Sequence, residues 1–408
     1  MSAYTSMADA SKAAGGFYVP QFKVVITGAS LPGDVLRDIV EVTYKDKLEE
    51  IDSCELVVNN WDADHGCFKY IGSEQLDEGG KPSGSAANHP NAKLWTLFDP
   101  CNKDVELHLG YLPGELRKMI TGNFVTYEPN FPASGPPVLA VRMLNKLHQL
   151  RREKKDDQYT RKNLTRVTSS GIAEYFMKEK RLPMRIEILT GAKNYEAKRE
   201  YILQKSQYDI DFLWQQAREE GFDLWIDRDA AGEDVIKLGP SQTKAVPAYQ
   251  LMWGQSLIDF KPTLTTGNQY KAVTVRGWDR AAQKVIDQKV ELKDLGKINK
   301  DLHYLLDQCD PREETVVERP HGTKGEAKAF ATSVFADQLK RMVRATGTTV
   351  GLPHLRAGCK VQIGGARGAK QTLGSRISGV YFVTATTHIF NSNGYTTRFE
   401  ARRENEET

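Results

Sequence analysis

The stretch Gly379-Val-Tyr-Phe-Val-Thr-Ala-Thr-Thr-His-Ile-Phe390, the turn Asn391-Ser-Asn-Gly394 and the run Tyr395-Thr-Thr-Arg-Phe-Glu-Ala401 constrain the fold most strongly. β-Branched and aromatic residues dominate both runs, and Asn and Gly supply the backbone freedom of a tight turn. The segment therefore predicts a long antiparallel hairpin. A hairpin is not stable alone, so further strands must cover its apolar face.

Other runs supply such strands. Phe22-Lys-Val-Val-Ile-Thr27, Ile39-Val-Glu-Val-Thr-Tyr44 and Cys54-Glu-Leu-Val-Val-Asn59 have strand composition. So do Val105-Glu-Leu-His-Leu109, Met119-Ile-Thr-Gly-Asn-Phe-Val-Thr126, Ala272-Val-Thr-Val-Arg-Gly-Trp278 and Lys360-Val-Gln-Ile363. Leu31-Pro-Gly33 reads as a turn, and residues 72–93, rich in Gly, Ser, Asn and Pro, as a long loop. Pro129-Asn-Phe-Pro-Ala-Ser-Gly-Pro-Pro137 holds four prolines, which sheet and helix interiors exclude, and marks the way out of the first strand-rich region. Val138-Leu-Ala-Val-Arg-Met143 is a buried strand candidate, and the charge run from Leu150 to Asn163 reads as a solvated loop.

The middle has a different rhythm. A helix is expected near Ser170–Lys180. A second runs from an N-cap at Asp209 through Glu220, closed by Gly221, with Ile210, Leu213 and Ala217 on one face. Phe222-Asp-Leu-Trp-Ile-Asp227, a turn at Asp229–Gly232 and Val235-Ile-Lys-Leu238 follow as strand, turn and strand. Residues 280–325 read as charged and irregular, and 325–346 as a helix with apolar positions three and four apart. The expected class is mainly β with an α+β insert, built on two antiparallel β-barrel-like domains. The expected division is a mobile arm over 1–19, a first β-barrel domain over 20–137, an α+β middle domain over 138–248 and a second β-barrel domain over 249–408.

At 408 residues, two or three domains are the natural prior. Net charge is +3, with 56 basic against 53 acidic residues, so nothing signals nucleic-acid sequence readout. The five cysteines Cys54, Cys67, Cys101, Cys309 and Cys359 are odd in number, widely spaced and without a CxxC pair. That argues against a disulfide framework and a structural zinc site. Neither a signal-peptide-like apolar stretch at the start nor an apolar window long enough to span a membrane is found, which implies a protein made in the cytoplasm.

No catalytic, cofactor-binding or metal residue is assigned. Asp62, Asp64, His65 and Cys67 are metal-ligand types crowded into one loop, which reads as a polar turn with side-chain caps, metal binding being the alternative. None of the eight histidines lies in HExxH, and neither a G-x-S-x-G nor a Walker-type motif occurs. Gly364-Gly-Ala-Arg-Gly368 lies between strands and reads as a hairpin loop, since a phosphate cradle needs a helix start behind it. Glu219-Glu220 sits at a helix end as a solvated pair. Trp214, Trp225, Trp253 and Trp278 read as core or subunit-interface packing in preference to sugar platforms.

Tyr208-Asp-Ile-Asp-Phe-Leu-Trp-Gln-Gln-Ala-Arg-Glu-Glu-Gly-Phe-Asp-Leu-Trp-Ile-Asp227 resembles the helix–Gly–strand signature of the phage late control D proteins, tail hubs related to the hub half of VgrG proteins. Gly110-Tyr-Leu-Pro113, Met119-Ile-Thr-Gly122, Glu128-Pro-Asn-Phe-Pro132, Val141–Arg151, Val275-Arg-Gly-Trp-Asp279, Gly351–Gly358 and the closing hairpin with His388 are similar to further pieces in the same order, over about residues 20–403. The resemblance implies a structural, non-enzymatic baseplate hub of a contractile injection system. Such a hub is a homotrimer whose paired barrels match a sixfold tail tube on one side and a threefold spike on the other. Implied partners are the tail tube protein, a separate spike protein and other baseplate subunits, in a virion or injection particle. The chain ends where VgrG proteins continue into a needle, so the spike is expected to be a separate protein. A tail-borne protein that binds or hydrolyses glycans, with Asp62 or Asp64 as its acids, is the alternative.

Overall fold

The computed structural model describes residues 10–12, 15–17, 19–72, 76–77, 81, 83–84, 88–100, 103–189, 192–196, 199–229, 231–241, 248–279, 282–295, 300–309, 312–317, 323–364, 373–374 and 376–403. The first strands are β1 (Val19–Ile26), β2 (Ala29–Ser30), β3 (Ile39–Lys47), β4 (Ser53–Asn59), β5 (Trp61–Asp62), β6 (Cys67–Phe68), β7 (Asp104–Leu112), β8 (Arg117–Asn130) and β9 (Val138–Asn145). A short helix, α1 (Gly33–Asp38), precedes β3 where only a turn was expected. Alternation decides which face is buried. In β4, Cys54, Leu56 and Val58 point into the core while Ser53, Glu55 and Asn59 face outward. β8 continues through Pro129, contrary to the expected break. Pro129 lies opposite Leu139 of β9 in the antiparallel ladder, and the β7 ladder on the other edge of β8 ends at Asn123, so the proline sits where one strand edge is unpaired.

The middle region holds β10 (Lys154–Thr160), α2 (Ser169–Lys178), β11 (Arg185–Ile188), α3 (Ala192–Tyr195), β12 (Tyr201–Tyr208), α4 (Asp209–Glu219), β13 (Asp223–Arg228) and β14 (Asp234–Gly239). The charge run expected to be a loop is partly strand. β10 pairs antiparallel with β12, turning Tyr159 inward and its charges outward. Asp209 is the first residue of α4, which Tyr208 caps; its carboxylate is instead taken by Arg181 and Gln204. Gly221 has φ 71° and ends the helix as expected.

The rest comprises β15 (Tyr249–Leu251), β16 (Leu257–Leu264), β17 (Tyr270–Asp279), β18 (Lys284–Glu291), α5 (Lys300–Cys309), β19 (Arg312–Val316), α6 (Lys324–Lys340), β20 (Val343–Val350), β21 (Lys360–Ile363), β22 (Gly379–Asn391) and β23 (Gly394–Arg403). The stretch expected to be irregular thus contains β18, α5 and β19. The helix expected over 325–346 stops at Lys340, and the β-branched run Thr346–Val350 belongs to β20, already paired from Val343. In α6, Ala327, Ala331 and Phe335 bury one face against Val273, Val275, Ile286 and Val290 of the β18–β17–β19 sheet.

The dominant feature is one sheet ordered β16-β20-β23-β22-β3-β4-β9-β8-β7-β1-β2, with β15 and β21 attached beside β22. Its early and late strands meet directly, β22 against β3, from Asn391↔Glu41 to Ala385↔Lys47. Among the described residues the path stays open, so the two strand-rich regions share a sheet. Their apolar side chains still gather in separate cores: one around Val42, Leu56, Phe124 and Val141, one around Leu251, Val361, Tyr381 and Val383. A third core, around Phe176, Ile210, Phe212 and Ile236, belongs to the middle region. Most of the expected mobile arm lies outside the described residues. The described pieces are packed, Ala10 in the late core and Phe17 edge-on to Tyr111 at 5.0 Å.

Candidate functional site

The main sheet has one apolar face on its cores and one solvated face. From β16 to β8 every neighbouring pair is antiparallel. The register runs unbroken across the join. Asp259 lies opposite Thr348, Thr348 opposite Arg398, Arg398 opposite Thr387, Thr387 opposite Lys45, and Lys45 opposite Ser53. This row is polar and charged throughout, and the next, Lys261–Thr346–Glu400–Ala385–Lys47, keeps that character. Two hollows lie on this face. One of about 450 Å³ lies over Thr348, Thr387 and Arg398; another of about 550 Å³ lies toward β16 and the end of α6.

Behind the join sits a buried polar knot. Arg356, 4% exposed, donates through Nε to Asp46 Oδ2 at 3.0 Å and through Nη2 to Asp52 Oδ2 at 3.3 Å and to the Tyr44 hydroxyl. The Ala357 amide donates to Asp46 Oδ2 at 3.1 Å, and the Thr386 hydroxyl to Asp46 Oδ1. Burial pushes the Asp52 carboxyl up to about 8 against the pull of Arg356. Next to it, His388 is fully buried. Its Nε2 lies 3.0 Å from the Leu355 carbonyl, and its Nδ1 lies 2.9 Å from the Tyr395 hydroxyl and 3.1 Å from that of Thr397. This fits a neutral ring donating from Nε2, and burial holds its pKa down at about 4. The knot ties β3, the loop before β21, and β22 together.

Asp62 anchors the β5–β6 turn, accepting from the amides of Asp64 and His65 at 3.1 and 3.3 Å and from Asn91 Nδ2 at 2.9 Å. The Asn91 hydrogen bond leads in holding its carboxyl at about 2. An acid fixed in that way is spent on the turn and poorly suited to donate a proton. His65 pairs with Asp62 at 2.9 Å, and Cys67 Sγ lies 3.6 Å from Asn91 Nδ2. Among the described residues no three His, Cys, Asp or Glu side chains group closely enough to hold a metal. Glu219 and Glu220 are not simply solvated. Each binds one Nη atom of Arg199 at 2.7 Å. Trp214 and Trp225 are buried, Trp225 edge-on to Phe382 at 5.9 Å, while Trp253 and Trp278 are 58% and 47% exposed. Gly364 has φ 87°, and the remainder of its glycine loop, like Cys101 and His321, lies outside the described residues. Arg356 escaped the sequence reading as a functional group because its carboxylate partners lie more than 300 positions away; its only local signal was membership of Gly351-Leu-Pro-His-Leu-Arg-Ala-Gly358. Among the described residues no helix is long and apolar enough to cross a membrane.

Solved structures share this fold across nearly the whole chain. The 43 kDa tail protein of prophage MuSo2 from Shewanella oneidensis is 13% identical, with a TM-score of 0.60 over 94% of this chain and 98% of its own. A tail protein from Neisseria meningitidis MC58 is 12% identical, with a TM-score of 0.57 over 95% and 97%. An Escherichia coli component of the type VI secretion system is 13% identical, with a TM-score of 0.55 over 94% of this chain and 77% of its own. No curated protein matches the sequence. The sequence match is to a family other than late control D or VgrG: residues 95–392 match the Alg8 N-terminal domain, and the chain belongs to that family.

Proposed function

We propose that this chain is a structural, non-catalytic subunit of a phage-tail-like contractile injection device. In it, three copies form the baseplate hub between a sixfold tail tube and a threefold spike. The observation that carries this reading is the composite sheet. Four strands of the early region (β3, β4, β9, β8) and four of the late region (β16, β20, β23, β22) form one antiparallel path about a buried seam. Two comparable halves per chain are what a threefold ring needs to present six similar units to a sixfold partner. The fold is shared end to end with two tail proteins, and the Escherichia coli relative is described as similar to the T4 tail proteins gp27 and gp5. We read this member of the Alg8 N-terminal domain family, on its tail-protein fold, as a late control D- and VgrG-like hub working in a virion or injection particle. Separate cores for the early, middle and late regions support three domains, the late one holding a second cluster under α6. The first extends through β9, beyond the boundary at 137, because Leu139, Val141 and Met143 lie in its core.

Light scattering on a sizing column tests the reading. Three copies of 45.8 kDa give about 137 kDa, alone or in a 3:3 complex with the spike protein. A strict monomer that binds neither tube nor spike protein overturns it.

A further inference from the structure

The hollow of about 550 Å³ lies where β16, β20 and β23 meet the end of α6. Six cations and four carboxylates line it. Several are paired: Lys47 with Glu50, Arg341 with Asp337, Arg402 with Asp223, and Glu49 with Arg218. Three cations remain. Among the described residues, neither Lys261, Arg344 nor Lys340 has a carboxylate partner. Arg344 also lies directly opposite Arg402 in the β20–β23 ladder, where like charges oppose each other. Lys340 is the independent observation. Only 9% exposed, its ammonium has one long contact, 3.4 Å, to the Gly221 carbonyl. An ammonium carries three donors, so at least two are left without a protein acceptor where Lys340 lines the hollow. The end of α6 favours a cation there through its dipole, but that does not satisfy those donors.

We propose that this hollow is a docking site for an acidic loop of a partner protein, whose carboxylates bridge Lys340, Arg344 and Lys261. A polypeptide fits better than a nucleic acid. Glu400, Asp223 and Asp337 line the same hollow and repel a continuous phosphate backbone, whereas two or three spaced carboxylates can sit among them. The volume suits a few side chains. The inference stands on the cation arrangement alone and does not need the chain to be trimeric.

The test uses the full chain and a fluorescent hexaglutamate peptide followed by anisotropy. Binding is expected, weakening as salt rises. The double variant Lys261→Glu/Arg344→Glu, changed only at exposed positions, is expected to lose about tenfold or more in affinity. Arg37→Glu, on α1, is expected to bind as the parent does. Circular dichroism confirms that the variants are folded. No binding by the parent chain, or equal binding by the double variant, overturns the proposal. So does tighter binding of single-stranded oligothymidylate than of hexaglutamate, lost in the same variant, which would assign the hollow to nucleic acid.

Discussion

Arg356 Nε donates to Asp46 Oδ2 at 3.0 Å across 310 positions of sequence, joining the late half of the chain to β3 of the early half. Both side chains are almost wholly buried, so neither charge has water to fall back on. Arg356→Met should therefore leave the Asp46 carboxylate uncompensated and cost about 3–5 kcal/mol. Urea unfolding of parent and variant measures it. Adding Asp46→Asn to Arg356→Met should recover part of the loss, because the stranded charge is then gone. If the second substitution adds its own full penalty instead, the knot is not an ion pair in energetic terms.

His388 gives the same seam a pH dependence. Its folded pKa of about 4 lies below its ordinary 6.5, so between those values the unfolded chain binds the proton more readily. Its contribution is full above about pH 6.5 and is lost as pH falls toward 4, at most about 3 kcal/mol. Asp52 works in the opposite sense. Its carboxyl is raised to about 8, so its share of stability is present below its ordinary 3.8 and lost as pH rises toward 8. The parent must therefore be compared with His388→Gln at each pH. The stability gap between them should narrow as pH falls from 6.5 to 4, and a constant gap would show that His388 does not titrate with unfolding.

How far the sequence reached follows from the range of each interaction. The hairpin of β22 and β23 was legible because its apolar runs and Asn–Gly turn are contiguous, and the ladder ends at Asn391↔Gly394. Helix α4 and Gly221 were legible for the same reason. β10 was hidden because only Tyr159 of its seven residues is fully buried, leaving no alternation of hydrophobicity to read. The end of α6 was misplaced because Val343 continues the helical spacing while its backbone already pairs with Leu264. The seam and the cation hollow were out of reach, since each gathers residues from segments tens to hundreds of positions apart.

At Gly358 the loop before β21 packs against Trp225 of β13. Gly358 has φ 86°, and a Cβ there would lie 2.2 Å from Trp225 Nε1. Its amide also donates to the Val383 carbonyl at 2.9 Å, so the loop has little room to shift. Gly358→Ala should destabilise by about 1–3 kcal/mol from overpacking, with the left-handed backbone adding to it. Trp225→Leu in the same chain should relieve the clash but not the backbone strain. A thermal-melt double-mutant cycle therefore predicts a favourable coupling between the two changes, smaller than the whole loss. Strict additivity would mean that the indole moves aside without cost.

The middle-region core should respond separately from the late core. Arg181 binds Asp157 at 2.8 Å, reaches Asp209 through Nε at 3.0 Å and stacks over Phe176 with its guanidinium carbon 4.1 Å from the ring centre. Arg181→Met keeps apolar volume over Phe176 but strands the buried Asp209 carboxylate, at a cost of about 3–5 kcal/mol. Arg181→Lys should restore only part of this, since an ammonium cannot reproduce the fork that serves both carboxylates. Hydrogen exchange locates the damage. Amides of α2, α4 and β12 should exchange faster in Arg181→Met, while those of β22 and β23, in the late core, keep their protection. Equal acceleration in the β22–β23 hairpin would mean that the Arg181 network stabilises the chain as one cooperative unit, and the separate cores would then have no separate stability.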